Sequence, residues 1–109
     1  MMEVTYHRRR LRMTAVGHAG YAPAGQDIVC AAATMLMHTL GANVRHLHRG
    51  NSRRCYAVRV RLHPGFAWVE VQPRYDGRIV ATILFDTVAN GFRVLAKSYP
   101  KHVSFTQVE

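Results

Sequence analysis

Hydrophobic and polar residues alternate from Glu3 to His7 and again from Arg12 to Val16. Val4 and Tyr6, then Leu11 and Met13, fall on one side, a period of two that predicts two strands. The basic run Arg8-Arg9-Arg10 between them predicts the turn of a β-hairpin. From Gly17 to Gln26 the alternation stops, and three glycines with Pro23 predict a loop. Asp27 then stands where a helix N-cap belongs. The helix predicted after it carries Ile28, Ala32, Met35 and Leu36 on one face and ends at Gly41. Ala42 to Asn51 is polar and rich in His and Arg, as a connection would be. Strands are predicted over Arg54 to Leu62 and Phe66 to Val71, with Pro64-Gly65 as their turn. Asp76 is placed to cap a second helix in which Val80, Leu84, Val88, Gly91 and Leu95 share a face. Tyr99-Pro100 stops that helix, and Val103 to Val108 alternates as a last strand. The order ββαββαβ predicts one two-layer α+β domain over residues 1–109, a mostly antiparallel sheet with both helices on one face.

A chain of 109 residues, 49% hydrophobic, suits one globular domain rather than a disordered tail. No apolar run approaches the ~20 residues of a membrane span, and no apolar stretch follows the arginines to make a signal peptide. A cytoplasmic location with no membrane partner is therefore expected. Cys30 and Cys55 are too few for a disulfide framework and are not a CxxC pair, so free thiols are expected. The net charge is +9, with thirteen of the fifteen cations arginine. A positive surface of that strength favours RNA or acidic partners, although a solvated basic surface has the same composition.

Cys30 falls in the first turn of the predicted helix, where unpaired N–H groups and the positive end of the helix dipole favour thiolate over thiol. A thiolate is the nucleophile for acyl transfer, and an imidazole assists it and protonates the leaving amine. His18 stands twelve residues earlier on a loop long enough to fold back over the helix start. The N–H groups of the helix could also steady an oxyanion. On spacing alone the signal is weak, since a helix cysteine beside Ala31 and Ala32 is more often a small core residue.

Gly17-His18-Ala19, Tyr21, Gly25 and Asp27-Ile28-Val29-Cys30-Ala31-Ala32 together resemble the motif of the ribosomal-processing cysteine protease family (Prp). The likeness extends to the element order, the chain length and the Tyr99-Pro100-Lys101 exit from the second helix. The resemblance implies a cytoplasmic bacterial endopeptidase that removes the N-terminal extension of a large-subunit ribosomal protein precursor, the twenty-seventh, after a pair of aromatic residues. It implies a dyad with Cys30 as nucleophile and His18 as general base and acid, no metal or organic cofactor, a homodimer, and a loop that closes over the peptide. Thr34 stands at the family's usual Ser, one helical turn after the nucleophile. Asp27 fits either a helix cap or an orienter of His18. Gly17, Gly20 and Gly25 fit the hinges of a lid or ordinary loop backbone.

Other features point elsewhere. His46-Leu47-His48 with His38 or His63 lacks the second motif or carboxylate that a zinc site needs. Cys55, in an alternating strand, reads as structural. Phe66 and Trp68 share a strand face and read as core or dimer contacts rather than a base-stacking platform. The alternative to the protease is a non-catalytic ribosome- or RNA-associated protein using its basic face. Ribosomal proteins are themselves basic, so +9 suits processing close to ribosomal RNA better than attraction of the substrate.

Overall fold

The alternating segments form the strands that the period predicts. The computed structural model describes residues 1–49 and 54–109. In it, β1 (Met2–His7) and β2 (Arg12–Val16) form the hairpin, α1 spans Ile28–His48, β3 (Cys55–His63) and β4 (Phe66–Pro73) form a second hairpin, α2 spans Arg78–Ser98, and β5 is Val103–Val108. The sheet order is β3-β4-β2-β1-β5. Every pairing is antiparallel except β1 with β5.

Register explains the two layers. Val60, Val69, Met13 and Tyr6 pair successively across the sheet, so they share one face. Val60 packs under Gly41 of α1, and the Tyr6 ring stacks on Phe85 of α2 with centroids 5.9 Å apart. Both helices therefore cover the same side. At ~25 cal/mol per Å² of apolar surface removed from water, the buried side chains of this layer supply the main drive for folding.

Three expectations about α1 are corrected. Gly41 does not end α1, which continues to His48 with Arg49 as its C-cap. A Cβ at Gly41 would lie 3.0 Å from Val60 Cγ1, so the glycine lets the helix approach β3 closely. The buried stripe of α1 is Val29, Ala33, Met37, Leu40, Gly41 and Val44, whereas Ile28 and Met35 are exposed. Ala32 and Leu36 are partly buried, and Leu36 packs on Gly91 of α2. An apolar helix offers two stripes at 3.6-residue spacing, and the sheet takes the one shifted by a residue. The polar connection expected over Ala42 to Asn51 is thus helical to His48, and its last two residues lie outside the described ones.

In α2 the cap is Gly77 rather than Asp76, and it makes no side-chain capping bond. A Cβ there would fall 1.9 Å from the Arg54 carbonyl oxygen, so close approach of the residue just before β3 selects the glycine. The buried face is Ala81, Phe85, Val88, Ala89, Phe92 and Leu95, of which sequence periodicity named Val88 and Leu95. By length and composition alone α2 could cross a membrane. Here that apolar face lies on the sheet.

The side of the sheet away from the helices holds Phe66 and Trp68, which are not core residues. Phe66 is exposed, and Trp68 lies beneath the Arg12 guanidinium, 4.6 Å from the ring centroid. Cys55 is a buried free thiol whose acidity is weakened by burial and by the nearby Asp76 charge.

Candidate active site

The open end of the β1–β2 hairpin, the N-terminus of α1 and the β3–β4 turn converge at one end of the molecule. They enclose a cleft of about 900 Å³ lined by Gly17, His18, Gly20, Gly25, Asp27, Cys30 and Thr34, the catalytic and supporting candidates of the sequence. Ala33, Met37, Leu62 and Ala67 make part of its wall apolar.

Asp27 organises both the helix and the loop. Its Oδ1 accepts from the amides of Val29 (3.0 Å) and Cys30 (2.9 Å), two donors that the first turn of a helix leaves unpaired. Its Oδ2 accepts from Tyr21 and Ala22 at 3.0 and 3.3 Å, drawing the loop onto the helix start. The Cys30 amide first, with those of Ala22, Tyr21 and Val29, holds the carboxyl below the usual carboxylate range, although burial opposes the shift. All four go to backbone, and none goes to His18. The Val29 and Cys30 amides are thereby occupied, which corrects the expectation that helix amides are open to an oxyanion.

Cys30 is half-buried in the cleft. The donor that reaches its Sγ, at 3.4 Å, is the amide of Ala19. Ala19 is buried, and its carbonyl lies 3.0 Å from Nδ1 of His102, so that nitrogen carries the proton. Tyr21 packs edge-on against Tyr99 and His102 with centroids 5.4 and 5.3 Å away. The residues after α2 thus hold the loop between His18 and Cys30. Sequence reading missed this clamp because it joins positions about eighty apart.

His18 is exposed at the mouth of the cleft. Its imidazole rests on Gly65 of the β3–β4 turn: a Cβ at Gly65 would lie 2.9 Å from Nε2 and 3.2 Å from Cε1. Gly65 has φ of +77°, and its carbonyl accepts from the Gly17 amide at 2.9 Å. The proline-glycine pair marked a turn; only the fold brings that turn under the histidine. Gly17 has φ of +96° and lies against the Met1 carbonyl, which leaves no room for a side chain. Gly20 and Gly25 also have positive φ but open surroundings. No hydrogen bond joins His18 to Cys30 among the described residues, and such bonds commonly tighten only around bound substrate. Thr34 is exposed one turn beyond Cys30, with His38 a further turn along the same wall. No cluster of three metal-ligating side chains forms among the described residues.

A thiol at a capped helix start, touched by a loop amide in a cleft that an imidazole also lines, is the equipment of thiol acyl transfer. The family model for cysteine protease Prp matches residues 1–104. The chain belongs to the cysteine protease Prp family.

Solved structures agree with that membership in fold. The essential ribosomal processing protease Prp from S. aureus, in complex with a covalently linked product peptide, superposes with a TM-score of 0.73 at 14% identity, over 97% of this chain and 96% of that one. The same protease with a substrate peptide gives 0.67 at 14% identity, over 97% of this chain and 96% of that one. SMU.848 from Streptococcus mutans gives 0.67 at 21% identity, over 98% of this chain and 91% of that one. Among curated proteins no sequence match is found. The chain is thus a cysteine protease with the α+β architecture of the Prp structures.

Proposed function

We propose that this protease removes the N-terminal extension of a large-subunit ribosomal protein precursor, the twenty-seventh, with Cys30 as nucleophile and His18 as general base and acid. The observation that carries the reading is the cleft in which Cys30 Sγ faces the Ala19 amide while His18 flanks the opening. The apolar wall of Ala33, Met37, Leu62 and Ala67 suits an aromatic pair ahead of the scissile bond. The S. aureus enzyme's complexes with substrate and product peptides support a peptide in the corresponding groove.

In this mechanism His18 takes the Sγ proton, and the thiolate attacks the scissile carbonyl carbon, forming a C–S bond. The resulting oxyanion accepts from the Ala19 N–H, the amide already beside Sγ. Collapse breaks the C–N bond as His18 protonates the leaving amine. Water, deprotonated by His18, then attacks the thioester, and the departing sulfur recovers its proton. Asp27 acts one step back by holding the helix start and the loop together. Thr34, at the family's Ser position, offers a hydroxyl on the same wall, and Gly17, Gly20 and Gly25 let the loop close over the peptide.

The enzyme works as a cytoplasmic homodimer close to ribosomal RNA in this reading, supported by the family motif and the +9 charge. Incubation with the precursor, read by mass spectrometry, tests the core of it. Wild type and Cys55→Ala should release the extension, and Cys30→Ala and His18→Ala should not. Cleavage by Cys30→Ala would overturn the dyad.

A further inference from the structure

The basic residues are not spread evenly. The molecule is 44 Å long, and α1 runs from the cleft toward the opposite end. At about 1.5 Å rise per residue, His48 ends the helix about 27 Å from Cys30. Around that far end the β1–β2 turn brings Arg9 and Arg10, the C-cap of α1 Arg49, the residue before β3 Arg54, the β4–α2 connection Arg74, and the start of α2 Arg78. Hydrogen bonds tie these segments together: the Arg54 amide donates to the Leu47 carbonyl, the Arg74 amide to the Arg54 carbonyl, and the Arg78 guanidinium to the Arg9 carbonyl at 2.6 Å. The ion pairs among the described residues are Arg8–Asp86 and Arg12–Glu70, so these six arginines keep their charge for another partner.

Two aromatic rings stand among them. Tyr75 is fully exposed and Tyr56 is 70% exposed, with the Arg74 guanidinium 5.5 Å from the Tyr56 centroid. Exposed aromatics cost hydration unless something stacks on them, and arginines beside them neutralise phosphates. A second copy of the chain would meet this surface with like charge. We propose that this pole binds single-stranded RNA, with bases on Tyr56 and Tyr75 and phosphates on the flanking arginines. It deepens the reading of a protease working beside ribosomal RNA and leaves the cleft free for peptide at the other end.

The test is fluorescence anisotropy of a labelled twelve-nucleotide single-stranded RNA with the full chain over a salt series. Log affinity should fall linearly with log salt, and Arg74→Ala with Arg78→Ala should make the slope shallower by about 1.4, since each phosphate contact on a single strand contributes ~0.7. Tyr75→Ala should weaken binding about fivefold or more with the slope unchanged. Removing the same charge elsewhere, by Lys97→Ala with Lys101→Ala, should leave the slope within a few tenths. Equal losses in the lysine and arginine pairs, or no loss in Tyr75→Ala, would overturn the assignment. So would a change in sedimentation mass of the arginine pair, which would make the surface a contact between copies. Binding needs no turnover, and about 27 Å exceeds the ~8–10 Å Debye length, so peptide cleavage by the arginine pair should match wild type. Failure of RNA binding is therefore read apart from failure of the protease reading.

Discussion

Gly65 should control the activity through the seat of His18. In Gly65→Ala the new Cβ would stand 2.9 Å from Nε2, against an ordinary contact near ~3.5 Å, so the ring must shift by about 0.6 Å. His18 is exposed, and its ring can swing into solvent, so the collision costs little stability. The backbone cost comes from φ of +77°, where an L residue loses about 1–2 kcal/mol. Against a typical domain stability of ~5–15 kcal/mol the variant stays folded. Catalysis is less forgiving, because a misplacement near 1 Å costs about a hundredfold in an oriented reaction. The expected result is a kcat lowered about ten- to a hundredfold, KM little changed, and a modest fall in the urea midpoint. Gly25→Ala, with φ of +85° and open space around it, calibrates the backbone strain in the urea experiment alone. Wild-type kcat in Gly65→Ala would refute the seat, and with it the position from which His18 is argued to act.

Two further outcomes concern stability and reactivity. The Tyr6 hydroxyl donates to Asp86 at 2.8 Å beside the Arg8–Asp86 pair, so Tyr6→Phe should lose about 1 kcal/mol in urea unfolding. The Arg8 hydrogen bond, helped by Tyr6, holds the Asp86 carboxyl below its unfolded value. Its stabilisation is therefore full above about pH 4 and drains away as pH falls through the folded value, and Asp86→Asn should flatten that part of the stability profile. Iodoacetamide should label Cys30 in the native protein and reach Cys55 only on unfolding, because Cys55 is 2% exposed and its thiol is held protonated. Peptide mapping that found Cys55 labelled first would contradict the burial.

The sequence by itself determined the strands, the hairpin turns, the α+β order and the local half of the site. Period-two alternation depends on neighbouring residues, and so does the Asp27 cap, whose acceptors reach amides two and three positions on. The block from Gly17 to Thr34 was legible for the same reason, since one loop and one helix turn carry it. Only the tertiary structure decided which stripe of α1 faces the sheet, because two apolar stripes compete and the partner chooses. It likewise turned Gly41, an apparent stop, and Gly91, an apparent helix-face position, into points of close approach, and added Gly77 as a third. The two features that shape the cleft most, Gly65 beneath His18 and the His102–Tyr99 clamp on the loop, join residues 47 and about 80 positions apart. No local pattern records such contacts; packing of the β3–β4 turn and the α2 exit against the loop creates them.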